Sequence, residues 1–239
     1  MNILAIGAHP DDIECLCAGT LALYAQAGHR VVMAVATNGN VGSPTLPSEE
    51  IAAVRRKEQQ ASCDLIGAEL IWMNFDDEWL MNERPTRERF IDVIRQADPD
   101  VMFIHSLNDY HPDHRIAGQV AEDARIPASV RLVETSLPAI GKIPHMFYMD
   151  TVGSVDFQPE AYVDISPVFE LKKRMLLCHE SQDSWMRAVY GEDTSITDMM
   201  IDQARSRGHA AGVRYAEGFR EVRTYPRTGS WALLPGFGK

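Results

Sequence analysis

Three short stretches of the chain are apolar at almost every position: ILAI at 3–6, RVVMAVAT at 30–37 and VMFI at 101–104. A strand with one face in water alternates polar and apolar residues, whereas a strand covered on both faces has no reason to alternate. Segments of helical pattern separate the three runs. Such an alternation restricts the chain to an α/β architecture, a Rossmann-like, mostly parallel sheet with helices on both faces.

The spacing predicts strands at Asn2–Ala8, Arg30–Thr37, Glu69–Asn74 and Val101–His105. Helices are expected at Glu14–Ala27, closed by Gly28, from Ser48 as a cap to Gly67, and at Thr86–Ala97, stopping before Pro99. Asn38–Ser48 is rich in Gly, Pro, Ser and Asn, a loop long enough to wall a binding site. Beyond 125 the pattern is less regular. Phe147–Asp150 and Ala161–Ile165 read as strands, Pro167–His179 as a helix, and Ser195–Phe219 as a helical region interrupted by Gly208 and Gly212. The tail GSWALLPGFGK is apolar and is expected to pack on the body or on a neighbouring subunit. With 239 residues and no linker or repeat, the chain reads as one domain, 1–239. Residues 1–125 form its Rossmann-like half with the candidate site, and 126–239 complete a substrate cleft.

A formal charge of −11 disfavours nucleic acid and anionic membrane surfaces as partners. No apolar run approaches the ~18 residues that span a bilayer, and MNILAIGAHPDD lacks the basic start of a signal peptide. Cys15, Cys17, Cys63 and Cys178 form no CxxC pair. They read as free thiols in a reducing, cytoplasmic setting. The first strand is not followed by GxGxxG, which argues against a dinucleotide site.

The segments after the first and fourth strands are unusual. GAHPDDIE spans 7–14 and HSLNDYHPDH spans 105–114, so His-Pro-Asp occurs twice, each time just past a buried strand. Ligands in open α/β sheets bind beyond the carboxyl ends of the strands. Proline and carboxylates also suit the first turn of a helix, but a helix start does not call for histidines beside the aspartates. A catalytic zinc commonly takes three N/O ligands and keeps one open position. His9, His111, His114, Asp11 and Asp12 can provide two imidazoles and one carboxylate. Spacing does not separate Asp11 from Asp12, or His111 from His114. The carboxylate and imidazole left over would serve as general base and as oxyanion stabiliser, and Asp113 would orient a histidine.

The motifs AHPDD-x-E at 8–14 and HPDH at 111–114 resemble those of the LmbE-like (PIG-L) zinc-dependent N-deacetylases. Gly19-Thr20, Arg56 and Glu58 in RRKE, HESQ at 179–182 and YAEGF at 215–219 extend the resemblance over nearly the whole chain. It implies His9, Asp12 and His114 as ligands of Zn2+, with Fe2+ as a cellular alternative. It implies Asp11 as general base, His111 as stabiliser of the tetrahedral intermediate with Asp113 tuning it, and Arg56 as a substrate contact. The implied activity is hydrolysis of the acetamide of an N-acetylglucosamine-type sugar or conjugate, by a cytoplasmic homo-oligomer acting on a small molecule. An amidase of thiol conjugates or a deacylase of a natural product is the alternative. No chemistry is assigned to Glu14 or Tyr110. His179 is a candidate cleft residue, and His105, His145 and His209 are expected to be structural or at the surface.

Overall fold

The computed structural model describes residues 1–225 and 230–237. Its strands are β1 (Asn2–Gly7), β2 (Arg30–Thr37), β3 (Glu69–Phe75), β4 (Val101–Ile104), β5 (His145–Met149), β6 (Ala161–Asp164) and β7 (Ala216–Glu221). Its helices are α1 (Asp12–Leu16), α2 (Ala18–Gln26), α3 (Ser48–Asp64), α4 (Arg84–Ala97), α5 (Pro112–Arg125), α6 (Phe169–Leu177), α7 (Glu180–Tyr190) and α8 (Ile196–Ala211). The strands form one sheet in the order β3-β2-β1-β4-β5-β7-β6. The first five are parallel, as the apolar runs of β1, β2 and β4 lead one to expect, and β7 runs antiparallel to both β5 and β6.

Two apolar layers cover the sheet. On one face Ile3, Ala5, Met33 and Phe103 meet α1, α2 and α6; on the other Leu4, Ile6, Met102 and Ile104 meet α4 and α5. Alternate residues of one strand thus enter different cores, which explains the lack of alternation in the sequence. Phe103 stacks on Phe147 at 5.8 Å and tilts against Phe219 at 5.1 Å, joining the parallel half to the antiparallel strand.

The expected Glu14–Ala27 helix is two helices, broken at Cys17 (φ −145°, ψ 7°). The break allows a remote carboxylate to cap the second one. Glu217 accepts hydrogen bonds from the Gly19 and Thr20 backbone N–H groups and from the Thr20 hydroxyl, while buried Lys172 neutralises it at 2.6 Å. The expected helical span Ser195–Phe219 is also corrected. α8 stops at Gly212, and YAEGF enters β7, where Phe219 pairs with Ala161 and Met149. α7 lies where no element was expected, and Ser48 is the first helical residue after Pro47 rather than a side-chain cap. Of the tail, Trp231, Leu233 and Leu234 pack on the body, and the Tyr24 hydroxyl donates to the Leu233 carbonyl. Gly229, Gly238 and Lys239 lie outside the described residues.

The connection order determines where a ligand can sit. From β1 the chain moves to β2 and β3 on one side, then crosses to β4 on the other. The carboxyl ends of β1 and β4 therefore flank the switch point, where adjacent loops part and leave a crevice. Both His-Pro-Asp segments open there. α5 can approach because Gly118 has no side chain: a Cβ there would lie 2.5 Å from the His105 carbonyl oxygen.

Candidate metal centre

Three side-chain groups converge at the switch point. His9 Nδ1 lies 3.2 Å from His114 Nε2 and 3.4 Å from Asp12 Oδ2, and His114 Nε2 lies 3.1 Å from Asp12 Oδ1. A tetrahedral ion with bonds of ~2.0–2.1 Å separates its ligand atoms by about 3.3 Å. The three separations in this triangle of residues are close to that value, with a different Asp12 oxygen nearest each ring. All three residues are nearly buried.

The far nitrogen of each imidazole is held by a carboxylate. His9 Nε2 is 3.0 Å from Asp77 Oδ1, and His114 Nδ1 is 3.0 Å from Asp109 Oδ2. Such outer carboxylates fix the ring and its tautomer, leaving the inner nitrogen as a ligand. The inner carboxylate is fixed too, since Asp12 Oδ2 accepts the His9 backbone N–H at 2.6 Å.

Other groupings of potential ligands occur here: His9, His111 and His114; Asp12, His105 and His114; and His9, Asp77 and Asp113. The first shares His9 and His114 with the triangle and replaces the carboxylate by a third histidine. In the second, His105 Nε2 is already engaged by the Ala8 backbone N–H at 3.0 Å. In the third, the His9 nitrogen is the outer one. His9, Asp12 and His114 bring two imidazoles and one carboxylate together, with a further carboxylate behind each ring.

Crowding sets the electrostatics of the centre. Burial works against a charged His9, yet the carboxylates of Asp113, Asp12 and Asp77 outweigh it and raise the pKa well above that of a free imidazole. Burial also opposes charge on His114, but Asp12 and Asp109 bring it up to about 9. Asp12 is held well below the usual carboxylate range by His114 and His105, against its burial. Asp11 goes the other way. Burial raises it to about 6, Arg55 opposes the rise, and Asp12 adds to it. Asp11 also has a left-handed backbone (φ 108°), a strained conformation for a residue other than glycine and one concentrated at functional sites.

His111 is half-buried beside the triangle, edge-on to His9 at 4.6 Å and stacked on His114 at 4.8 Å. Burial, and then the charges of His9 and His114, lower its pKa. Its Nδ1 accepts the Asp113 backbone N–H at 3.2 Å, so a neutral ring carries its proton on Nε2. The Asp113 carboxylate accepts the backbone N–H groups of Glu78 at 2.8 Å and Leu80 at 3.3 Å, and lies 3.4 Å from His9 Nε2. It thereby pins the turn after β3 against the centre.

Arg56 is exposed on α3 and faces a neighbouring groove, while Arg55 is buried and reaches the centre. The Arg55 guanidinium donates to the Pro10 carbonyl at 2.6 Å and to Asp11 Oδ2 at 3.2 Å, and lies 3.9 Å from Asp77. The 38–48 loop closes over it. Gly39 (φ 65°) passes so near that a Cβ would lie 2.5 Å from the guanidinium, and Gln182 donates to the Gly42 carbonyl.

Four participants were missed from sequence. His105, expected to be structural or at the surface, is wholly buried, stacks on His114 at 4.2 Å and lies 3.2 Å from Asp12. Its signal was available, as a polar residue closing an apolar strand at the ligand-binding end. Asp77 sits in FDDE, the acidic continuation of β3, and Asp109 stands two residues before His111. Arg55 lies one helical turn from each of the buried residues Ile51 and Gln59. His179 is fully buried, 3.6 Å from Glu14, which also accepts hydrogen bonds from Gln59 and Ser62. The pair lies where α1 meets α3 and the start of α7.

Residues 4–125 match the family described as PIG-L: GlcNAc-PI de-N-acetylase. A diacetylchitobiose deacetylase of Thermococcus kodakarensis is 30% identical over 235 residues, covering 92% of this chain and 83% of its own. A 4-oxalmesaconate hydratase of Pseudomonas putida is 25% identical over 238 residues, 95% of this chain and 90% of its own. Among solved structures, an inhibitor complex of the N,N'-diacetylchitobiose deacetylase of Pyrococcus horikoshii superposes with a TM-score of 0.80 at 27% identity. It covers 92% of this chain and 83% of that one.

Proposed function

The chain belongs to the PIG-L family, and from that premise we propose that it is a zinc-dependent N-deacetylase acting on an N-acetylglucosamine-type sugar or conjugate. The observation that carries the reading is the triangle of His9 Nδ1, Asp12 and His114 Nε2, with Asp77 and Asp109 on the outer ring nitrogens. Two imidazoles and one carboxylate suit zinc, and ferrous iron as well.

His9, Asp12 and His114 would hold the ion, which supplies an acidified water and polarises the acyl oxygen. The other steps belong to the chain. Asp11 takes the proton of the attacking water. A carboxyl near pKa 6 is largely ionised at neutral pH and more basic than an ordinary aspartate. Once protonated, Asp11 is the group that returns the proton to the departing amine. His111 donates from Nε2 to the oxygen on which negative charge develops, as a neutral donor. Asp113 steadies the His111 turn against Glu78 and Leu80, and Arg55 orients Asp11. Release of acetate and a free amine completes the balance.

The hydratase relative suggests another use of the same fold, on the acid its name states. Carboxylate substrates need cations near the reacting carbon. Here Asp11, Asp12, Asp77, Asp109 and Asp113 crowd the centre, and Arg55 is already shared between Asp11 and Asp77. Hydrolysis of a neutral amide suits this environment better.

The test is acetate release from N-acetylglucosamine derivatives, and amine release from thiol-conjugate amides, by zinc-loaded protein, chelated protein and the Asp11→Ala variant. Zinc-dependent acetate release lost in Asp11→Ala supports the proposal. Turnover of thiol conjugates alone moves the substrate class, and hydration of 4-oxalmesaconate with no amide cleavage refutes it. No helix among the described residues is long and apolar enough to cross a membrane. The four cysteines are free, which supports a cytoplasmic setting, and assembly into a homo-oligomer is part of the same proposal.

A further inference from the structure

The turn after β3 is held to the centre along its backbone. The Asp77 N–H donates to Asn40 at 3.1 Å, and the Glu78 and Leu80 N–H groups donate to Asp113 at 2.8 Å and 3.3 Å. Asp77 also aims its carboxylate at His9 Nε2. Between these anchors Glu78 has a left-handed backbone (φ 70°), which glycine adopts freely and a residue with a Cβ adopts at a cost. The side chain at this strained position reaches the reacting groups, with Glu78 Oε1 3.3 Å from His111 Nε2. The backbone is fixed, but the Glu78 carboxylate is half-exposed and free to turn into water.

His111 Nε2 carries the one ring proton, because Nδ1 accepts the Asp113 backbone N–H. Glu78 and an acyl oxygen therefore compete for the same donor. A long contact, half in water, is weak, so a neutral acyl oxygen displaces Glu78 at little cost. An anion meets a different situation. Among the described residues no lysine or arginine pairs with the Glu78 carboxylate, and Arg55 is shared between Asp11 and Asp77. A carboxylate arriving at His111 thus faces a negative charge with no cation to offset it.

Hydrolysis itself does not raise that charge. As negative charge develops on the acyl oxygen, Asp11 gains a proton, and the sum facing Glu78 is unchanged. The product does raise it. Once the amine has left with the proton of the new acid, acetate and an ionised Asp11 remain, one negative charge more than before the substrate bound.

We propose that Glu78 is a charge screen on His111, admitting an uncharged acyl group and rejecting a carboxylate, the product acetate included. Glu78 is then a specificity-determining residue. It returns to His111 as acetate departs. The proposal rests on the deacetylase reading only in naming acetate as the product, and the binding of acetate does not depend on turnover.

The experiment measures calorimetric binding of acetate, and of acetamide as its uncharged counterpart, to the zinc-loaded wild type, Glu78→Gln and Glu78→Gly. Gln keeps the size of the side chain, and Gly suits the left-handed backbone, so the glycine variant decides the matter if the glutamine variant does not fold. Both variants should bind acetate about tenfold more tightly, near the value for like charges about 4 Å apart and largely in water, and acetamide within about twofold of the wild type. Acetate release from N-acetylglucosamine derivatives is followed on the same proteins. Acetate affinity within about twofold of the wild type overturns the screen, and if turnover persists the deacetylase stands. Acetate and acetamide tightened equally also overturn it, since Glu78 then only fills space. Acetate alone tightened, with no N-acetyl substrate cleaved, keeps the screen and removes the deacetylase.

Discussion

Asp77 and Asp109 are the sharpest test of the centre, because neither was expected from the motifs and each touches the outer nitrogen of one histidine. A carboxylate in that position is worth roughly 10–100-fold in metal affinity, about 1.4–2.7 kcal/mol. The structure ranks the variants within that range. His114 Nδ1 faces Asp109 at 3.0 Å, and among the described residues no second carboxylate pairs with that nitrogen. Asp109→Ala should therefore fall near the 100-fold end. His9 Nε2 has Asp77 at 3.0 Å and Asp113 behind it at 3.4 Å, so Asp77→Ala should cost less, about 30-fold. Asp77→Asn keeps an oxygen acceptor and loses only the charge, so about tenfold is expected. Zinc affinity measured by competition with a colorimetric chelator at constant pH gives the three values, with Asp12→Ala as the variant that loses a ligand outright. If Asp109→Ala and Asp77→Ala both bind zinc within threefold of the wild type, the carboxylate–histidine arrangement has no energetic role and the assignment of the centre fails.

Other consequences concern protons and buried charge. His114, raised to about 9, and His9, raised well above its usual value, must lose protons before they can act as ligands. Zinc affinity at pH 7 should thus rise with pH, and calorimetry in buffers of different ionisation enthalpy should detect net proton release; none would contradict the assignment. For the metal-free protein, the raised folded-state value at His114 contributes stability fully present below about pH 6.5 and lost as pH rises through about 9. Urea midpoints for chelated protein across that window should fall, with less change in a His114→Gln variant. Asp11 must be ionised to accept a proton, so the acid limb of kcat/KM should lie at or below about 6, since a nearby divalent cation only lowers it. A limb clearly above 6 would assign the base to another group. Lys172→Met strands Glu217 in the interior and should cost about 3–5 kcal/mol, whereas Lys172→Met with Glu217→Gln should recover part of the loss, read from thermal unfolding.

The centre was legible in the sequence where the chemistry is local. His9 to Asp12 and His111 to His114 are short segments after apolar strands, and both the strand ends and the residue types could be read directly. The supports were harder to see because they come from other strands and helices. Asp77 reaches His9 only because β3, two strands away, ends at the same rim. Arg55 rather than Arg56 enters because helical phase puts it on the face of Ile51 and Gln59. The Ser195–Phe219 segment misled for a related reason. Its residues permit a helix, but pairing with β5 and β6 lies far away in sequence, and that pairing makes 216–221 a strand.

The remaining family marks have a common physical explanation, since each braces the loops that carry the centre. Glu58 accepts from the Ser181 backbone N–H and hydroxyl, both at 2.7 Å, so RRKE and HESQ meet where α3 touches the start of α7. One helical turn of α3 therefore points Arg55 at Asp11 and ties Glu58 to the segment whose Gln182 holds Gly42. Glu217 of YAEGF seats α2, directly after α1 and the turn that carries His9 and Asp12, by accepting from Gly19 and Thr20. Glu14 anchors α1 itself to α3 through Gln59 and Ser62. A centre built on loops must hold its ligands within a fraction of an ångström, and loops alone do not provide that rigidity. The buried carboxylates do, each satisfying N–H or O–H groups from a different segment. Glu14, Glu58 and Glu217 thus brace the segments around the turn that carries His9, Asp11 and Asp12.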